Sequence, residues 1–169
     1  MLKNVKKLAL GTILVLATTQ ATANDVTNTL SEKGIYLGFQ SASLSYSHGL
    51  SAKMDFTDKI TGQAILGFLG TFNTYTARGL YKFNQDRFYN MYGYGSVGLW
   101  SWDGGRYWDD ETSMTFGGGA GFEYDIRGLG ADKNFPVFIN AELGLNIVNF
   151  DNYGSVSTLG LGIGVHYKF

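Results

Sequence analysis

Three stretches of the chain hold side chains that could do chemistry. Ser47-His48 sets a hydroxyl beside an imidazole, the combination that activates a serine nucleophile. In a strand, neighbours point to opposite faces. These two could therefore meet only in a loop, and no third carboxylate is evident to orient the imidazole. Gly93, Gly95 and Gly98 in GYGSVG match G-x-G-x-x-G. Dinucleotide binding needs that pattern at a strand-to-helix turn, whereas this copy lies inside a run of strand-forming residues. Asp103, Asp109, Asp110 and Glu111 offer the oxygen ligands that Ca²⁺ takes. Their spacing is not that of a dedicated calcium loop, and a solvated acidic loop is the better reading. The chain has no cysteine, so thiolate metal and redox chemistry is excluded. No catalytic, cofactor-binding or metal-ligating residue is assigned.

What carries these residues begins with a leader. Lys3, Lys6 and Lys7 precede a short apolar run over residues 8–17, and Ala21-Thr22-Ala23 is a small-x-small cleavage signal. Residues 1–23 are read as a secretory signal peptide. The run is about half the ~20 residues that a transmembrane anchor needs. Residues 24–169 are then one domain. Removing the three lysines leaves ten basic against fourteen acidic residues, a net charge of −4. Nothing forms a basic stripe, so nucleic acid is not an expected partner. Glycine stands at 24 residues, about twice the usual share; Tyr and Phe reach 11 and 12, and Pro136 is the one proline. Glycine-rich, aromatic-rich and proline-poor composition fits long paired strands with room needed on one face.

The domain alternates with period two, broken by turn residues. Ile35, Leu37 and Phe39 share a face, and a phase change follows near Ser41. Leu44 and Tyr46, then Leu50, Ala52, Met54 and Phe56, continue the pattern. After TDK (57–59) come Ile60, Gly62, Ala64, Leu66 and Phe68. Tyr75, Ala77, Gly79, Tyr81 and Phe83 follow. Residues 88–102 are apolar or aromatic on both sides, which leaves their facing open. Met114, Phe116, Ala120, Phe122 and Tyr124 mark the next strand, then Val137 to Ile147 by twos, then Leu159 to Phe169 by twos. The count is about eight, with no helix-period segment. The fold predicted is all-β: an eight-stranded antiparallel up-and-down transmembrane β-barrel, eight being the smallest usual number for a closed membrane barrel.

Alternation alone does not say which face is wet. Opposite the apolar set lie Thr158, Gly160, Gly162, Gly164, His166 and Lys168 on the last strand. Asn140, Glu142, Gly144 and Asn146 lie there on the one before, Thr74, Thr76, Arg78 and Lys82 on the fourth, and Lys53 and Asp55 on the second. An exposed strand face gains nothing from glycine, but a cramped lumen needs small residues. The apolar run to Phe169 covers ten steps of ~3.3 Å, enough for a tilted strand to cross an apolar band ~25 Å tall. Aromatics gather towards strand ends. Phe56, Phe83, Phe88, Tyr124, Tyr167 and Phe169 stand at one end, and Phe68, Phe72, Trp100 and Trp102 at the other. That distribution reads as two interfacial girdles.

The closing LGLGIGVHYKF resembles the terminal strand of bacterial outer-membrane barrels. With the leader, GIYLGFQ and FGGGAGFEYDI, the mature chain resembles the small eight-stranded porin-family barrels, OmpA-like or OmpX-like. The resemblance implies a bacterial outer-membrane location. It also implies that Tyr167 and Phe169 form an assembly signal read by the barrel assembly machinery, and that outer-membrane lipid and lipopolysaccharide are partners. One departure is the connection over residues 127–135, longer than the family's periplasmic turns. No periplasmic module is expected after Phe169. Some small outer-membrane barrels modify lipid A; the deacylase type has His and Ser two apart, a pattern not found here.

Inside such a barrel, unpaired charge is costly and charges should pair across the narrow interior. An ionic plug is expected, with Arg78 and Glu142 near mid-strand and Glu123, Lys82 and His166 nearer the periplasm. The outer loop Asp103, Tyr107, Trp108, Asp109, Asp110 and Glu111 is expected to meet lipopolysaccharide through free cations, a headgroup layer or a surface partner. The function predicted is a non-enzymatic role in envelope integrity or surface interaction through the outer loops. A narrow channel for small or apolar solutes and a lipid A-modifying enzyme are the alternatives.

Overall fold

The computed structural model describes residues 33–42, 47–69, 73–102, 111–132, 134–150 and 154–169. The stretch read as a leader lies outside them, as do Leu44, Tyr46, Phe72 and residues 103–110. Eight strands follow in order: β1 (Ile35–Ala42), β2 (Ser47–Asp55), β3 (Ile60–Leu69), β4 (Asn73–Gln85), β5 (Tyr89–Trp102), β6 (Glu111–Asp125), β7 (Val137–Phe150) and β8 (Gly154–Lys168). Each pairs antiparallel with its neighbour, and β8 returns to β1, closing an up-and-down barrel. Closure runs from Tyr36 opposite Lys168 to Ala42 opposite Gly162. Over that span the sheet has no open edge, and β8 runs on beyond it along β7 as far as Gly154.

Alternation fixes the two sides of the wall. On β8, Leu159, Leu161, Ile163 and Val165 are exposed, Ile163 by 65%, while the residues between them are buried and His166 is 0% exposed. The same holds on β7, where Ile139, Leu143, Leu145 and Ile147 face out and Asn140 and Glu142 face in. The core is therefore polar and the surface apolar, the reverse of a soluble barrel.

β5, ambiguous in sequence, resolves in the same way. Met91, Val97 and Leu99 face out; Tyr92, Tyr94 and Trp100 face in. Trp100 corrects the expectation that it stands in an outward girdle. It is 8% exposed because it pairs with Thr74 and Ser113, both turned inward. The inside also takes apolar residues at inward positions of the alternation, among them Ile65, Leu80, Phe138 and Val148.

The connections at the end where β1 begins and β8 ends are built by local caps. Between β2 and β3, Thr57 Oγ1 accepts from the Ile60 amide at 3.0 Å. Between β6 and β7 a turn of 3-10 helix covers Ile126–Leu129. The Asp125 side chain accepts from the Arg127 amide at its start, and Gly130, at φ 90°, donates to the Arg127 carbonyl at its end. That left-handed conformation is one glycine adopts without a Cβ clash.

Candidate functional site

The densest chemistry in the molecule is the side-chain network that fills the barrel. β4 turns Arg78 and Lys82 inward, and β7 turns Asn140 and Glu142 inward. β5 and β6 lie between β4 and β7 on the shorter way round the ring, so a contact between their inward side chains crosses the lumen. Arg78 Nη1 donates to Glu142 Oε2 at 2.7 Å, with side chains 9% and 2% exposed. The same carboxylate accepts from Tyr92 OH at 2.7 Å, Asn140 Nδ2 at 3.2 Å and Gln40 Nε2 at 3.3 Å. Four donors from four strands use most of the lone-pair sites of one ionised carboxylate. The Arg78 guanidinium lies 4.6 Å from the Tyr94 ring centroid, so its face is covered as well.

Two further pairs lie towards the end where β1 begins. Lys53 Nζ meets Glu123 Oε1 at 2.5 Å, joining β2 to β6, which stand on opposite sides of the ring. Lys82 Nζ meets Asp55 Oδ1 at 2.8 Å. Asp55 also accepts from Tyr36 OH at 2.9 Å and from the Thr61 hydroxyl. His166 Nε2 lies 2.9 Å from Ser51 Oγ, which also accepts from Gln63 Nε2 at 2.8 Å. Below them Tyr36 and Phe138 pack edge to face at 5.4 Å. At the mouth Arg127 forks onto Asp125, closing at 2.5 Å. At the opposite end Ile65, Trp100 and Val148 are buried inside the ring.

Each charge in this interior is costly alone; the geometry gives each of these carboxylates a cation, and gives Glu142 and Asp55 neutral donors as well. Room comes from glycine. A Cβ at Gly121 would lie 2.5 Å from Tyr92 Cζ, and one at Gly144 would overlap the Tyr94 hydroxyl. One at Gly164 would overlap Asn140 and Gln40.

The residues singled out from sequence fall as follows. Arg78 and Glu142 meet each other. Glu123 pairs with Lys53, Lys82 with Asp55, and His166 with Ser51. Lys53 and Asp55 stood on the inward face in sequence, yet only the stagger of strands shows whom they reach. Tyr92, Gln40 and Asn140 had no sequence signal as ligands of Glu142. Tyr167 is half-buried against Phe135 and Phe169, and Phe169 is exposed, its amide donating to the Ile35 carbonyl at 2.8 Å. Glu111 opens β6; Asp103, Tyr107, Trp108, Asp109 and Asp110 lie outside the described residues.

His48 bonds across the hairpin rather than along it: Ser41 Oγ and His48 Nδ1 lie 2.7 Å apart on the outward face. Their flanking register partners, Ile163 and Leu69, have apolar side chains and bring no donor for an oxyanion. GYGSVG lies in the interior of β5 and not at a strand-to-helix turn, so it lacks the context that cradles a dinucleotide phosphate.

A closed ring of eight meandering strands, apolar outside and ion-paired inside, defines the class: the chain has the fold of the small eight-stranded outer-membrane β-barrels. Among solved structures, the N-terminal β-barrel domain of Pseudomonas aeruginosa OprF is similar, with a TM-score of 0.56 and 14% identity over 82% of this chain and 100% of that one. Ail, the attachment invasion locus protein of Yersinia pestis, aligns with a TM-score of 0.44 and 13% identity over 81% of this chain and 97% of its own. No protein family and no curated sequence relative matches the chain.

Proposed function

We propose that the chain is a plugged, non-enzymatic β-barrel of the bacterial outer membrane, which serves envelope integrity or surface interaction through its outer loops. The observation that carries this reading is the inverted polarity of the wall. Leu161, Ile163 and Val165 stand exposed while Glu142, Glu123 and His166 are buried behind them. Water would penalise that apolar surface, whereas acyl chains match it. Closure of β8 onto β1 makes the sheet a ring, the arrangement a bilayer demands of strands. On this reading Phe169, exposed on the rim, belongs to the signal that the barrel assembly machinery takes up. The acidic loop around Asp109 and Asp110 reaches lipopolysaccharide phosphates through divalent cations.

The lumen argues against transport. Side chains from Tyr36 and Phe138 at one end to Trp100 at the other are buried, with three ion pairs between them. In planar bilayers the refolded mature chain is expected to be nearly silent. Discrete, reproducible conductance steps would replace this reading with the narrow channel. A change in acyl chains on incubation with lipopolysaccharide would replace it with the lipid-modifying enzyme.

A further inference from the structure

The connection between β6 and β7 is long for a turn at the end where β1 begins, and it carries apolar side chains in the open. Leu129, in its 3-10 turn, is 77% exposed, and Phe135 is half exposed. Both flanks of the connection make contacts with the outside of the barrel. At the β6 side, Gly128 packs so close to the Phe88 ring and the Tyr124 hydroxyl that a Cβ would lie 2.5 to 2.9 Å from them. Tyr124 itself stacks on Phe122, an exposed residue of the apolar wall. At the β7 side, the Phe135 ring meets Tyr167 edge-on at 5.9 Å, and Tyr167 meets Phe169 at 4.9 Å. Arg127 reaches back to the mouth, through Asp125.

We infer that the β6–β7 connection is a second membrane contact of the barrel, lying in the headgroup layer of the near leaflet with Leu129 and Phe135 inserted into the acyl boundary. The occupant of this apolar edge is bilayer lipid, because the edge continues the apolar wall through Phe122, Tyr124 and Tyr167 without a break. Aromatic and aliphatic side chains on a short amphipathic segment partition to that depth. Asp132 and Asn134, exposed between Leu129 and Phe135, face the water side. The inference rests on the reading that the wall faces lipid.

The chain has no cysteine, so single reporters can be placed in the full mature protein. Leu129→Cys, Phe135→Cys, Asp132→Cys and Leu161→Cys, each carrying a nitroxide, are refolded into phosphatidylcholine vesicles. Collision with oxygen is compared with collision with a water-soluble nickel chelate. Leu129 and Asp132 are exposed, so neither label disturbs packing. Labels at positions 129 and 135 are expected to favour oxygen several-fold more than the label at 132, approaching the mid-wall label at 161. If 129 and 135 match 132 while 161 reports lipid, the connection is a water-exposed loop and the inference is overturned, although the membrane reading stands. If 161 also reports water, the membrane reading fails together with it.

Discussion

Gly144 and Gly79 occupy opposite sides of the same wall, and their surroundings differ completely. A side chain at Gly144 would run into the Tyr94 hydroxyl, while one at Gly79 would meet nothing within 4 Å. Gly121 and Gly95 repeat the contrast: Tyr92 lies against the first and open space against the second. Inside the ring, volume is the scarce quantity. Glycines on β6, β7 and β8 leave the room that Tyr92, Tyr94 and Gln40 fill, and Tyr92 and Gln40 join Arg78 on Glu142. Around Gly79 and Gly95 on the outside, no protein atom competes for the space, although a Cβ at outward Gly62 would meet the Phe56 ring at 2.6 Å. At these four positions one residue type answers a packing constraint on the inner side and none on the outer.

The sharpest way to break this contrast is to disturb the interior charge. Arg78→Met leaves Glu142 buried without its cation, and such a loss costs about 3–5 kcal/mol. Unfolding by urea in lipid vesicles should show that drop. Arg78→Met combined with Glu142→Leu should lose less, since no charge is stranded; an equal or larger loss would refute the pairing. Next in size is Gly144→Ala. Its methyl must displace Tyr94, so overpacking of about 1–3 kcal/mol is expected, read from the same urea midpoint. Smallest is Gly79→Ala on the outer side. With open space around it, the change should be neutral or should stabilise by about 0.5–1 kcal/mol, the strand-interior advantage of Ala over Gly. If Gly79→Ala cost as much as Gly144→Ala, the two sides of the wall would not differ as described.

Much of the fold could be read along the chain. Outward Leu159, Leu161, Ile163 and Val165 follow from period two, and so do inward Arg78 and Glu142. Trp100 could not be placed, because β5 is aromatic on both faces and gives alternation nothing to act on. The set around Glu142 was half legible. Arg78 announced itself by charge and facing; Tyr92, hidden in the same ambiguous strand, did not. Lys53 and Glu123 both faced inward in sequence, but their meeting needs strands four apart in the ring.

By itself, then, the amino-acid sequence determined that strands form, how many there are, and which side of each is greasy, because side-chain direction in a strand is set by counting from one residue to the next. Only the closed tertiary structure decided which acid meets which base, where Trp100 points and how the 126–136 connection leans against the rim. Those outcomes depend on register accumulated around eight pairings and on the width of the space they enclose, quantities that no local stretch of sequence contains.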